Sequence, residues 1–321
     1  MKREECDGRN SVEYLAYLAR RKRYYMRFEC IDGTGSLTHV FLAHPLSIQL
    51  LHTYPNVICM DSTYNTKKYR MPMFEMVGVT PTNQNFLIAY ALMKDETERS
   101  YTWVLQQLKN VIDDASKPHV IVTDRELGLM NAIANVFPQS AHLLCIWHIR
   151  KDVVKQVYEK NGRDKAAANI FEKAAWKKVI YSSSLPEYQG NIDRVKAWCR
   201  DRPHIFEYLS NTWLVHKEKF VKFWTNGVRH YGNTTTNRVE SQHSLVKYWV
   251  KSGRGNFVNL FEKADSCMVM QVKGIRKELQ FSMKKAPTMF VEYGSGPYRQ
   301  LLRSVSLYAC LLYTSPSPRD S

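Results

Sequence analysis

The chain is 321 residues long and 44% hydrophobic, enough to bury a substantial core, so a disordered protein is excluded. Its 46 Lys plus Arg outnumber 30 Asp plus Glu, and the net charge of +16 favours a polyanionic partner, nucleic acid ahead of an anionic membrane surface. No apolar run reaches the length of a membrane span, and MKREEC at the start is charged where a secretory signal needs apolar residues, so an intracellular protein with no membrane partner is expected. The seven cysteines, Cys6, Cys30, Cys59, Cys145, Cys199, Cys267 and Cys310, are scattered without a Cys-x-x-Cys pair, which predicts reduced thiols.

In chain order, helical spacing of Val12, Leu15 and Leu18 precedes a strand-like run from Tyr24 to Ile31, a turn at Asp32–Gly35 and a return strand from Leu37 to Leu42. Residues 1–54 are read as an N-terminal helix and hairpin region. The run NVICMDSTY predicts a strand ending at Asp61, and Phe74–Val79 and Phe86–Met93 predict two more around the turn TPTNQN. A helix over Glu98–Asp114, a buried strand over His119–Thr123, a helix over Glu126–Phe137 and a strand over Ala141–Trp147 follow. Three meandering strands and then two helix–strand units give an α/β, ribonuclease H-like order: a mixed five-stranded sheet with Asp61 on its first strand and Asp124 at the end of its fourth. Residues 55–149 are the first part of this core.

Residues 150–225 read as an α-helical insertion between the fifth strand and the last catalytic helix, rich in Lys and aromatics, among them Trp213 and Trp224. After GNTTTN, residues 226–290 return to the core, with one helix starting near Arg238 and carrying Glu240 and another over Asn259–Gln280. Residues 291–310 form a tail without a clear pattern. Residues 311–321, LLYTSPSPRDS, turn abruptly Ser/Pro-rich and resemble a translated sequencing adapter; no part in the fold is expected of them, and a longer natural product is expected.

Phosphodiester cleavage on divalent cations needs carboxylates converging on one point, because hard cations prefer oxygen ligands. Asp61 and Asp124 each follow an apolar run, so both should emerge at one rim of the sheet. A strand-end Asp also caps helices, and for Asp124, ahead of ELGLMNAI, capping is the better reading from local pattern alone. Glu240 is the only acid between Thr225 and Asn256, among Arg229, Arg238, Lys247, Lys251 and Arg254. Metal binding beside a phosphate backbone and a helix-terminal Glu stabilised by the macrodipole both account for it.

The stretches MDSTYNTKKYRMPM, VTDRELGLMNAIANVFP with HLLCIWH, and TNRVESQHSLVK together resemble the Mutator-like element (MULE) transposase family, including its far-red-impaired-response-like branch. The resemblance covers about Ser11 to Gln280. It implies that Asp61, Asp124 and Glu240 are the catalytic acids and metal ligands of a DDE-type DNA transposase using Mg2+ or Mn2+, acting in the nucleus on terminal repeats and target DNA, with a homodimer holding two DNA ends. The alternative it allows is a domesticated, transposase-derived DNA-binding transcription regulator without cleavage. Lys67 and Arg150 stand where the family pattern has Asn; neither position is a presumed ligand.

Cys145 and His148 match the family's Cys-x-x-His signature, which implies a place near the catalytic site. His142, Cys145 and His148 suggest zinc on spacing alone, but a continuous strand splits them between faces, a helix from Cys145 leaves His142 behind, and a four-ligand site lacks its partner pair. Zinc at Cys145 and His148 is therefore the less favoured reading, beside a buried thiol and a hydrogen-bonded imidazole. Arg238, Lys247, Lys251 and Arg254 are candidate DNA contacts, as is Trp213 by base stacking, although helical-core packing is the stronger reading for Trp213 and Trp224. The basic run Arg20–Arg23 reads as a nuclear localisation signal, a DNA-backbone contact or a solvated helix end. With no Gly-x-Ser-x-Gly elbow and no phosphate-binding P-loop, serine hydrolase and nucleotide hydrolase chemistry are disfavoured. A stand-alone nuclease of this fold would not need the long insertion.

Overall fold

The computed structural model describes residues 11–31, 36–63, 71–241 and 257–284. Helix α1 (Ser11–Arg21) leads into the hairpin β1 (Tyr25–Cys30) and β2 (Leu37–Ala43), then α2 (Pro45–Thr53). The meander β3 (Val57–Thr63), β4 (Met73–Val79) and β5 (Asn85–Met93) follows, and α3 (Glu98–Val111), β6 (Val120–Thr123), α4 (Leu127–Val136) and β7 (Ala141–Leu144) complete the core. The strands lie in the order β1-β2-β5-β4-β3-β6-β7. All pairings are antiparallel except β3 with β6 and β6 with β7. The five strands from β5 to β7 have the expected ribonuclease H-like order, and the N-terminal hairpin extends the same sheet to seven strands through β2 and β5.

Alternation along β3 sorts its side chains between two cores. Ile58 and Met60 pack with Phe74, Tyr101, Leu105 and Ile133 under α3 and α4. Val57 and Cys59 pack with Leu15, Leu87, Val122, Val239 and Phe261 on the opposite face. Asp61 shares the parity of Val57 and Cys59, so it belongs to the face where the C-terminal helices pack.

The insertion begins one residue beyond β7. Helix α5 (Ile146–Lys160) starts where the sequence suggested a longer strand, because Cys145 already caps a helix whose Ile146, Ile149, Val153 and Val157 are buried. Helices α6 (Lys165–Phe171), α7 (Lys177–Ile180), α8 (Leu185–Trp198), α9 (Pro203–Thr212) and α10 (Lys222–Thr225) build a third core around the fully buried Trp176. Residues 237–241 form a helical turn, α11, and α12 (Phe257–Lys284) lies against α1 and α2. Lys22 of the basic run pairs with Asp265 of α12, whose other carboxylate oxygen accepts from the Tyr24 hydroxyl at 3.3 Å. That residue therefore ties α1 to α12. No described helix is long and apolar enough to cross a membrane.

Candidate metal centre

Asp61, His148 and Glu240 come from β3, α5 and α11, and one ligand atom of each lies within 4.8 Å of the others. Asp61 is buried on β3, and its Oδ1 accepts from the Ser62 backbone N–H at 2.9 Å. The next residue points to the other face, where its hydroxyl meets that of Tyr101 at 3.2 Å. His148 Nε2 is 3.7 Å from Glu240 Oε1, beyond hydrogen-bond length. Burial, reinforced by Lys151, holds the His148 imidazole down at about 4, so it is neutral near pH 7.

Asp124 stands one residue past β6. The parallel pairing Cys59 with Val122, continued two residues, brings it opposite Asp61 on the neighbouring strand. Strands in a sheet run about 4.8 Å apart. Asp124 does not cap α4; Glu126 occupies that place and accepts from Gly128 N. Gly128 is needed there, since a Cβ would come within 2.9 Å of the Glu98 backbone nitrogen where α4 meets the start of α3. Burial, then the nearby carboxylates of Glu126, Glu96 and Asp152, push Asp124 up to about 6. Its carboxylate is thus in an acidic, half-buried setting beside the three-residue cluster rather than inside it.

The Cys-x-x-His spacing has a local explanation. Cys145 caps α5 and His148 sits one turn on, and both reach back to Thr236 immediately before α11. The Thr236 backbone N–H donates to Cys145 Sγ at 3.2 Å, the Thr236 hydroxyl lies 3.4 Å from the same sulfur, and His148 Nδ1 is 3.3 Å from that hydroxyl. Ile146 N adds a backbone bond to Thr234 O at 3.0 Å. Burial raises the Cys145 thiol, which keeps it protonated. The signature therefore fastens the segment that delivers Glu240, and Cys145 is not among the clustered ligand groups of the described residues.

Arg238 holds the same segment from the other side. Its Nε donates to Asn233 Oδ1 at 2.5 Å, one terminal nitrogen to Asn85 Oδ1 at 2.5 Å and to Asn83 O at 3.3 Å, and the other to Asn83 Oδ1. Asn83 takes a positive φ of 63° in the β4–β5 turn, a conformation Asn tolerates better than most residues. Arg238, a candidate DNA contact, clamps α11 to this turn. Trp213 is corrected: at 2% exposure it is packed in the insertion core, its indole N–H donating 2.8 Å to Tyr208 Oη, so no base can stack on it. Lys247, Lys251 and Arg254 lie outside the described residues, as do the Asp32–Gly35 turn and Lys67. Arg150, the other departure from the family pattern, makes a 2.5 Å ion pair with Glu172, whose side chain is 6% exposed. Thr236, Asn83 and Asn85 were invisible to motif reasoning because their partners come from distant segments.

The strand order and the carboxylates at the carboxyl ends of β3 and β6 define a ribonuclease H-like domain with a candidate divalent-cation site. Residues 57–152 match the family model described as the MULE transposase domain. It is 27% identical to Protein FAR1-RELATED SEQUENCE 4 of Arabidopsis thaliana over 219 residues, 67% of this chain and 28% of that protein. It is also 25% identical over 305 residues, 84% of this chain, to a Chaetomium globosum protein named PKS-NRPS hybrid synthetase cheA. That match covers 6% of the fungal protein, so the chain spans less than a third of either relative. Among solved structures, the HTLV-2 integrase catalytic core domain in complex with magnesium is similar over 42% of this chain and 95% of that one, at 18% identity and a TM-score of 0.21.

Proposed function

We propose that this chain is the catalytic core of a DDE-type DNA transposase, which cleaves DNA at element ends and joins the cut strand to target DNA. The observation that carries the reading is the convergence of Asp61 and Glu240, from β3 and α11, on one point beside the strand end that bears Asp124. Carboxylate oxygens suit Mg2+ or Mn2+, so the residues present fit the cations this chemistry uses. Asp61, Asp124 and Glu240 would hold them. When bound, such cations act as Lewis acids at the attacking and leaving oxygens of an in-line displacement at phosphorus.

The protein's own contribution is placement. β3 and β6 fix two carboxylates through sheet register, and the Thr236 and Arg238 contacts fix the third. In cleavage, water oxygen attacks phosphorus and the P–O3′ bond breaks, leaving a 3′-hydroxyl and a 5′-phosphate. In joining, that 3′-hydroxyl attacks a target phosphodiester, forming a new P–O bond as the target's own P–O3′ bond breaks and its 3′-oxygen leaves as a hydroxyl, so one in-line geometry serves both steps. The net charge of +16 supports a phosphate-rich substrate. On this reading the protein would act in the nucleus, on chromosomal DNA, as a homodimer that pairs two element ends.

A domesticated DNA-binding regulator is the second reading, favoured by the similarity to the FAR1-related Arabidopsis protein. Retention of all three acids weighs toward the enzyme. Terminal-repeat DNA incubated with Mg2+ or Mn2+ separates the two: cleavage by the wild type that is lost in Asp124→Ala supports the transposase. Equal DNA binding by both proteins with no cleavage by either supports the regulator.

A further inference from the structure

The position of His148 inside the cluster adds a specific property to this site. The Thr236 hydroxyl has a single proton, and Cys145 Sγ at 3.4 Å lies where it receives that proton. With the hydroxyl proton directed at the sulfur, His148 Nδ1, 3.3 Å from the same oxygen, is assigned as the donor in their contact. A neutral ring protonated at Nδ1 carries its lone pair at Nε2, the atom that faces Glu240 Oε1 at 3.7 Å. Three lone-pair donors, two carboxylates and an imidazole nitrogen, thus meet within 4.8 Å, an arrangement that a cation satisfies.

From this geometry we propose that His148 is a direct nitrogen ligand of the divalent cation held by Asp61 and Glu240, oriented through Nδ1 by the Thr236–Cys145 relay. The inference rests on the metal-site reading above and deepens it by setting the metal preference. Imidazole is a poor ligand for Mg2+, which favours oxygen, and a better one for Mn2+ and later first-row ions. An N,O,O set at this position therefore tilts the site toward Mn2+. The relay explains why Cys and His stand three apart at the start of α5: one turn of helix lets both reach Thr236, while Nε2 is turned to the carboxylates.

The test is electron spin-echo spectroscopy of the full chain loaded with one equivalent of Mn2+, read for 14N coupling to the metal, together with Mn2+ and Mg2+ binding isotherms. The expected result is a 14N signal in the wild type that disappears in His148→Ala, with Mn2+ affinity falling about tenfold or more and Mg2+ affinity changing much less. Thr236→Val keeps the shape and removes the relay, and should weaken Mn2+ about 10-fold or more as outer-shell losses do. Mn2+ bound to the wild type without 14N coupling would overturn the ligand assignment and leave the carboxylate site standing, with His148 beside the metal but not bound to it. If the wild type binds no Mn2+, this inference and the metal-site reading fall together. The wild-type spectrum decides the matter even where a variant fails to fold.

Discussion

The sheet and the helical insertion solve the same packing problem and do different things with it. Each encloses aromatic and aliphatic side chains at near-zero exposure, Phe74 and Tyr101 in one and Trp176 and Phe171 in the other. In the sheet, register aims side chains: the parity that buries Val57 and Cys59 turns Asp61 toward α11, and the parallel pairing with β6 brings Asp124 alongside. In the insertion, Trp176, Phe171 and Phe220 are consumed by packing, and Trp213, which a DNA-facing surface could have used, is sealed inside. The candidate acids therefore sit on and beside the central strands, and the insertion reaches them through α5, whose first turn carries Cys145 and His148 while its later turns build the insertion core.

Substitutions in the two regions should separate activity from stability. Asp61→Asn or Glu240→Gln is expected to lower metal-dependent strand cleavage about 10³-fold, roughly 4 kcal/mol, with a melting temperature close to wild type. A gel cleavage assay paired with a thermal scan reads both. Trp176→Ala should do the reverse, costing about 3–5 kcal/mol in denaturant unfolding, because it empties the insertion core and leaves the cluster ligands in place. Equal losses of stability from the two kinds of substitution would mean that the regions do not divide the work in this way.

The Arg150–Glu172 pair gives a smaller effect within the insertion. Arg150→Ala leaves the nearly buried Glu172 carboxylate without its 2.5 Å partner and should cost about 1–3 kcal/mol. Arg150→Asn, the residue of the family pattern, should cost a similar amount unless Glu172 is changed to Gln at the same time, and a double-mutant cycle measures the coupling.

The smallest effect is one of pH, on the sheet side. Burial, followed by the positive charges of Lys219 and His216, depresses His142 to about 3, so the folded protein keeps it neutral. The Thr123 hydroxyl donates to Asp124 O at 2.7 Å, which leaves His142 Nε2 as the donor to that hydroxyl at 2.8 Å. The ordinary histidine value is about 6.5, so this contribution is intact above pH 6.5 and is lost as pH falls toward 3, because the unfolded chain takes up the proton and the folded one does not. The loss is up to about 1.4 kcal/mol per pH unit. Unfolding free energies at pH 7 and 5.5 should therefore differ more for the wild type than for His142→Gln; identical differences would remove the buried neutral histidine from the account.

How far each feature could be read from the sequence follows from how local its cause is. The β3–β7 core was legible because its strands are short apolar runs bounded by turn residues, and its order follows from the elements between them. Attachment of the β1–β2 hairpin to the sheet was not, since β2 pairs with β5 across α2, β3 and β4. Helix α2 was missed: Pro45 at its start and only Ser47 and Leu51 buried give a weak periodic signal. Asp124 looked like a cap, and only the structure shows Glu126 in that role. The Cys145–His148 spacing was recognised, but its partner Thr236 lies 88 residues beyond His148, so the reason for the spacing could not be read from it. Arg238 was read from its charge, whereas its position is set by three Asn residues, two of them in a distant turn.

The central claim is that Asp61 and Glu240, brought together by the fold, hold a divalent cation for work on DNA. Calorimetric titration of the full chain with Mn2+ tests it most directly. The account predicts a saturable site in the wild type that is lost in Asp61→Asn and in Glu240→Gln and kept in Trp213→Phe. Mn2+ affinity unchanged by both acid substitutions would contradict it.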